Sequence, residues 1–185
     1  DALMNEGELV TSKPDWVQHP NAARAEETLV RCLKNQSQAA SSLPPIQVEK
    51  AIIWAQEKAG FSFADQQAEA VRQALQSKIS ILTGGPGTGK TTILRALVSI
   101  LRAKKTRILL AAPTGRAARR MAESCSHFAQ TVHRLLKFDP SQGGFTMNEQ
   151  NPLTCDFVIM DEASMLDLKL AAALIRSIPP KAHLL

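Results

Sequence analysis

Eight residues, Gly84 to Thr91, read Gly-Gly-Pro-Gly-Thr-Gly-Lys-Thr, and no other stretch constrains this chain as tightly. They follow the apolar run Ile79-Ser80-Ile81-Leu82-Thr83 and precede Ile93, Leu94, Leu97, Val98 and Leu101, which are spaced as one face of a helix. A glycine-rich turn between a strand and a helix points successive backbone N–H groups inward, and the helix N-terminus adds partial positive charge. Such a loop binds phosphate. Lys90 can reach the terminal phosphates of a nucleoside triphosphate, and the Thr91 hydroxyl can ligate the magnesium that travels with it. Gly85, Pro86, Gly87, Thr88 and Gly89, with Thr92 just inside the helix, complete the expected nucleotide contacts. A dinucleotide-binding loop needs an acid about 20 residues further on. Lys104 and Lys105 stand there, and the first acid after the loop is Glu123, so that reading fails.

Three short apolar runs, Ile79 to Leu82, Ile108 to Ala111 and Phe157 to Met160, are each followed by helical periodicity, and a fourth begins near His183. Runs of this kind predict parallel strands buried on both faces, an α/β fold with ligands at the carboxyl ends of the strands. Ahead of them, helices are expected from Asn21, from Val48 and from Ala64, the last opened by a capping box of Ser62 and Asp65. Asn5 to Val10 reads as a turn into a short strand. The polar stretch Gln36 to Pro45 reads as a linker, which divides the chain into residues 1–43, the end of a small, mainly helical domain, and 44–185.

No apolar stretch approaches the ~20 residues of a membrane span. The opening Asp1-Ala2-Leu3 carries neither an initiating Met nor a signal peptide, which suggests a piece of something longer and a cytoplasmic setting. Cys32, Cys125 and Cys155 are odd in number and far apart, so no disulfide framework or zinc site is expected. Half of the 22 lysines and arginines fall between Lys90 and Lys137, against the single acid Glu123. That one-signed stretch favours a polyanionic partner.

Asp161 and Glu162 end the run Phe157 to Met160. A carboxylate there, at the tip of a strand taken to be adjacent to the loop's own, can hold magnesium together with Thr91. Glu162 can then orient and deprotonate an attacking water, with Lys90 stabilising charge. No arginine in the chain can be assigned to the γ-phosphate.

Four stretches together carry a family resemblance: residues 84–91, Ala-Ala-Pro-Thr-Gly-Arg-Ala-Ala at 111–118, Thr-Val-His-Arg-Leu-Leu at 131–136 and Asp-Glu-Ala-Ser-Met-Leu-Asp at 161–167. The set resembles the RecD-like branch of superfamily 1 DNA helicases, and Gly7 to Val10 with its following Ala-Glu-Glu helix is similar to the entry to the motor there. The resemblance implies a RecA-like first motor lobe, stopping short of a Gly-Asp-x-x-Gln-type sensor and a second lobe, preceded by the end of a winged-helix-like domain. It also implies ATP and Mg2+ as ligands. Gln67 would recognise adenine, with Gln66 the one-residue alternative; a Gln amide both donates and accepts. Thr114 and Arg116 would grip the single-strand backbone, Arg119 and Arg120 could extend that grip, and His133 with Arg134 is also associated with DNA. Phe138 and Phe145 are either base-stacking or core residues.

The implied activity is ATP-driven translocation on single-stranded DNA, 5′ to 3′, in recombination, repair or conjugation, with RecB- and RecC-like subunits as partners. The isolated piece would bind ATP without unwinding. The competing reading is an ATP-responsive DNA-binding switch or loader that does not translocate. An AAA-type ATPase shares the loop, but Pro-Thr-Gly-Arg and Asp-Glu-Ala-Ser fit it poorly.

Overall fold

A computed structural model describes residues 9–13, 16–141 and 143–185. The turn expected over residues 5–8 lies outside them. The chain runs β1 (Val10–Lys13), β2 (Trp16–Gln18), α1 (Pro20–Gln38), α2 (Val48–Ala59), α3 (Asp65–Gln76) and α4 (Lys90–Ala103). It continues through β3 (Ile108–Ala112), α5 (Gly115–Cys125), β4 (Ala129–Thr131), α6 (Val132–Leu135), β5 (Phe138–Asp139) and β6 (Gly144–Phe145). Last come β7 (Phe157–Met160), a 3-10 turn (Ala163–Met165), α7 (Leu168–Ser177) and β8 (His183–Leu184).

The central sheet has the order β4-β3-β7-β8, all parallel, as the apolar runs predict. Side chains alternate across it. Ile108, Leu110, Phe157 and Ile159 enter a core shared with α2, α3, α4 and α5. Ala111 and Val158 enter a second core with α6 and α7 on the other face, where Leu109 also packs. Two covered faces explain why β3 and β7 read as continuous apolar runs and not as alternating ones. Phe157 is fully buried, and truncating a residue so placed costs ~3–5 kcal/mol.

Three expectations change. The run Ile79 to Leu82 is not a full strand. Only Ile79 bridges Leu184, flanked by Ser80 N–H to the Leu184 carbonyl and Leu184 N–H to the Lys78 carbonyl, both 2.9 Å. This is the edge of the sheet, and Ile81 beyond it is 87% exposed. The second change is at α3, where Ala64 holds the N-cap position, Asp65 is already helical and Ser62 stands too early to cap. Gln67 supplies the closing bond instead, its Oε1 accepting from the Ala64 N–H at 3.1 Å.

The third concerns the polar stretch Gln36 to Pro45. Helix α1 runs on through Gln38, and the buried Gln36 donates to the Ala182 carbonyl at 3.1 Å. Ser42 N–H then donates to Lys181 at 2.9 Å, while Ser41 Oγ lies 2.7 Å from Nε2 of the buried His183. A stretch that reads as loose on composition is therefore bonded to the amino end of β8. Helix α1 itself packs along α7, and Arg31 pairs with Glu149 at 2.6 Å.

Candidate functional site

Register decides what the sheet brings together. Val158 pairs with Leu109 on one side and Leu184 on the other, and Leu184 bridges Ile79. Counting three residues along each chain from that level reaches Ala112, Asp161 and Leu82, while Thr131 pairs with Ala112. All four motif segments thus leave the same carboxyl edge of one sheet: the glycine loop after Leu82, Pro113 to Arg116 after Ala112, His133 and Arg134 after Thr131, and Asp161 with Glu162. They converge without being adjacent. β8 lies between β7 and the Ile79 bridge, correcting the expectation of neighbouring strands. Two strand spacings separate the loop's base from Asp161, about 10 Å.

The loop is built by its glycines. Gly87 and Gly89 have φ of 77° and 85°, left-handed values that side chains resist. Gly89 forms the N-cap of α4, so the first turn of that helix opens on the loop. Added Cβ atoms on Gly85 and Gly87 would meet nothing within 4 Å, leaving that rim open for a ligand to approach the backbone. Lys90 Nζ folds back on the loop, donating to the Gly84 carbonyl and to the Gly85 carbonyl, the latter at 2.8 Å. Thr88 Oγ1 donates to Gly85 at 3.0 Å and closes the turn. Gln67 braces it from outside, its Nε2 donating to the Thr88 carbonyl at 3.2 Å. Sequence reasoning assigned Gln67 a ligand role and missed this brace, which spans 21 residues and leaves no local pattern. Gln66 lines a different groove, beside Ile81 and Leu185. Pro86 and Thr91 are exposed, and Thr92 faces a groove between α2 and α4.

At the tip of β7, Asp161 N–H donates to the Ala111 carbonyl at 2.9 Å, tying the carboxylate's backbone to β3. Asp161 Oδ1 accepts from Glu162 N–H at 3.0 Å, and Glu162 adopts φ 56°, ψ 38°. A non-glycine residue in the left-handed region costs of order 1 kcal/mol and clusters at functional sites. The donor set suits magnesium bound with a triphosphate: a hydroxyl, one carboxylate, and a cationic loop for the phosphates. No cluster of three or more His, Cys, Asp or Glu side chains suited to a metal occurs among the described residues. A magnesium ion here would complete its shell with phosphate oxygens and water.

Thr114 caps α5, its hydroxyl oxygen accepting from Ala117 N–H at 3.2 Å, and Arg116, Arg119 and Arg120 are exposed on the following turns. None of these arginines forms an ion pair among the described residues. Thr131 caps α6 in the same way, accepting from Arg134 N–H at 3.3 Å. That short helix presents the exposed His133 to Phe138 and Phe145, with ring centroids 6.1 and 5.7 Å away. The two phenylalanines pair across the β5–β6 hairpin at 5.3 Å, and Phe138 is 47% exposed, so it is not a core residue. Cys32, Cys125 and Cys155 are free thiols. No described helix is long and apolar enough to cross a membrane.

Comparison with known proteins agrees with the geometry. The family model described as AAA domain matches residues 67–185. The ATP-dependent RecD2 DNA helicase of Deinococcus radiodurans is 35% identical over 90% of this chain and 22% of its own length. RecBCD enzyme subunit RecD of Haemophilus influenzae is 38% identical over 65% of this chain and 23% of its own, and that of Mycobacterium tuberculosis 36% over 65% and 25%. The chain spans about a quarter or less of these relatives. The matched model carries an AAA name, to which the sequence reading gave little weight, while the curated relatives over much the same residues are helicase proteins. The chain belongs to the AAA domain family, and its resemblance to the RecD-like helicases is borne out by these relatives.

Proposed function

We propose that this chain forms the nucleotide-binding part of the first RecA-like lobe of an ATP-dependent DNA helicase. In this reading residues 44–185 are the lobe and residues 1–43, packed on it through α1, the end of a preceding winged-helix-like domain. The observation that carries it is the common carboxyl edge, where the phosphate loop, Asp161 with Glu162, and the Thr114–Arg116 and His133–Arg134 segments emerge together. One edge that receives both a triphosphate and a strand's phosphates couples hydrolysis to grip.

Lys90 leaves the Gly84 and Gly85 carbonyls for the terminal phosphates, so the charge that now satisfies the loop goes to the ligand. Thr91 and Asp161 would hold magnesium, which would neutralise charge on the phosphate oxygens. Glu162 accepts the proton of the attacking water, its backbone held in place by Asp161. Gln67 keeps one amide hydrogen and one oxygen lone pair beyond its bonds to Thr88 and Ala64, enough to meet an adenine edge. Thr114 N-caps α5 and has its hydroxyl hydrogen left for a DNA phosphate, with Arg116 as the accompanying charge. His133 and its two phenylalanines offer rings to single-stranded bases.

Movement 5′ to 3′, a role in recombination, repair or conjugation, and assembly with RecB- and RecC-like subunits follow from the resemblance; relatives named as RecBCD subunits support the last. Calorimetric titration tests the core of the reading. The 185-residue chain should bind Mg·ATP, lose it on Lys90→Ala, and separate no strands of a tailed duplex. A chain indifferent to ATP, or one that unwinds unaided, contradicts the proposal.

A further inference from the structure

A groove of about 320 Å3 runs along α4 between α2 and α5, from Thr92 in the first turn of α4 to Arg102 in its last. That is the small end of the range for ligand-sized clefts. Its floor is the buried ring of Phe63 and the buried Cys125. Its walls carry Lys58, Arg95 and Arg102 and not one carboxylate. None of these three cations forms an ion pair among the described residues. Lys58 Nζ lies 5.0 Å over the Trp54 ring, and Arg102 donates to the Ser126 carbonyl at 3.0 Å.

Around the rim, large apolar side chains face solvent. Trp54, beneath the groove-lining Lys58, is 38% exposed and Phe61 is 43%. Phe61 stands edge-on to the floor residue Phe63 at 5.8 Å, so rim and floor form one aromatic surface. Exposed aromatics gathered beside unpaired cations mark an interaction site more than they mark ordinary surface.

We propose that this groove docks an acidic peptide segment of a partner protein, anchored by an aromatic or aliphatic side chain over Phe63. Charge complementarity selects the partner: three cations and no acid line the groove. Arg95 and Arg102 are about 10.5 Å apart along the helix axis at 1.5 Å per residue. Three residues of extended chain cover about that length, so neighbouring acids of one segment reach both. A nucleic acid strand fits less well. Lys58, Arg95 and Arg102 lie along a groove that runs from the first turn of α4 to its far end, whereas the Thr114 and His133 segments leave the carboxyl ends of β3 and β4.

The test is fluorescence anisotropy on the 185-residue chain with a labelled Gly-Asp-Asp-Trp-Asp-Asp-Phe-Gly peptide and the same peptide with Asn for every Asp. The acidic peptide should bind at least about tenfold tighter than its amide version. Arg95→Glu and Lys58→Glu should each weaken it by about tenfold, and Trp54→Ala by several-fold, with far-UV circular dichroism unchanged. Should Arg95→Glu disturb α4, Lys58→Glu on the exposed face of α2 decides alone. Equal affinity for the two peptides, or undiminished binding in the variants, overturns the proposal. So does an oligothymidine that displaces the peptide and is itself weakened by Lys58→Glu, because the groove is then a nucleic-acid surface.

Discussion

Gln67 and Gly89 meet so closely that a Cβ on Gly89 would lie 2.2 Å from Gln67 Nε2, the nitrogen that also donates to the Thr88 carbonyl. Gly89→Ala therefore does two kinds of damage. It places a side chain at φ 85°, costing ~1–2 kcal/mol, and it expels the brace from the loop. Nucleotide affinity should fall more than tenfold in a fluorescent-ATP titration. Adding Gln67→Ala to Gly89→Ala should recover some stability in urea by removing the clash, because the backbone strain alone then remains. Parental ATP affinity in Gly89→Ala would show that the brace is not needed.

Lys90 and Glu162 stand on different elements and should fail differently. Lys90→Ala removes the cation at the loop carbonyls and should abolish nucleotide binding. Glu162→Gln keeps shape and backbone while removing the base, so ATP should stay bound but turn over at least ~100-fold more slowly. Turnover is read as phosphate release in the presence of single-stranded DNA, and binding by titration. Equal loss of affinity in both variants would contradict the division of roles.

Much of this was legible because its causes are local. Glycines at 84, 85, 87 and 89 before Lys90 specify a phosphate loop whatever surrounds them, and β3 and β7 betray burial on both faces by running apolar without alternation. Long-range facts left no such trace. Nothing near Ile79 says that its pairing stops after one bridge, or that β8 comes between it and β7, because strand order is decided by packing. Gln36 and Ser41 look like linker residues, and only their bonds to Ala182 and His183, more than 140 positions away, say otherwise. The β5–β6 hairpin was hidden by its two-residue strands, too short for a period to develop.

Arg116 lies exposed in the first turn of α5 with no ion-pair partner among the described residues, so its charge is available to a phosphate. Affinity for oligothymidine should fall as salt rises, and Arg116→Ala should lower the slope of log K against log salt by about 0.7, the value for one single-strand phosphate contact. Thr114→Ala would also remove a helix cap worth ~1 kcal/mol, so Thr114→Asp, which keeps a capping oxygen but repels a phosphate, separates capping from contact. An unchanged slope in Arg116→Ala removes that residue from the interface.

His183 gives the fold an acid-sensitive point. Burial, and next the Lys78 ammonium, hold its pKa below the ordinary 6.5, opposed in part by the Ser77 carbonyl 2.9 Å from Nδ1. The unfolded chain then takes up a proton near pH 6.5 that the native state refuses. Its contribution is complete above that pH and is lost as pH falls below it toward the native value. Asp156 acts lower down: Arg107, bonded at 2.6 Å, depresses its carboxyl below 3.8, so that stabilisation persists until stronger acid. Thermal midpoints measured from pH 8 to pH 4 should decline from about 6.5, and His183→Gln should flatten that decline. A decline identical in the variant would assign the effect elsewhere.

The proposed function requires Thr91, in the first turn of α4, and Asp161, at the tip of β7, to serve one magnesium-bound triphosphate. The direct measurement is the magnesium dependence of ATP affinity in Thr91→Ala, Asp161→Asn and the double variant. If both residues hold the same ion, each single change should remove most of the magnesium dependence, and the double variant should be little worse than either. Losses that add in full, with magnesium dependence intact in Asp161→Asn, would show that the carboxylate does not reach the ion and would end this account.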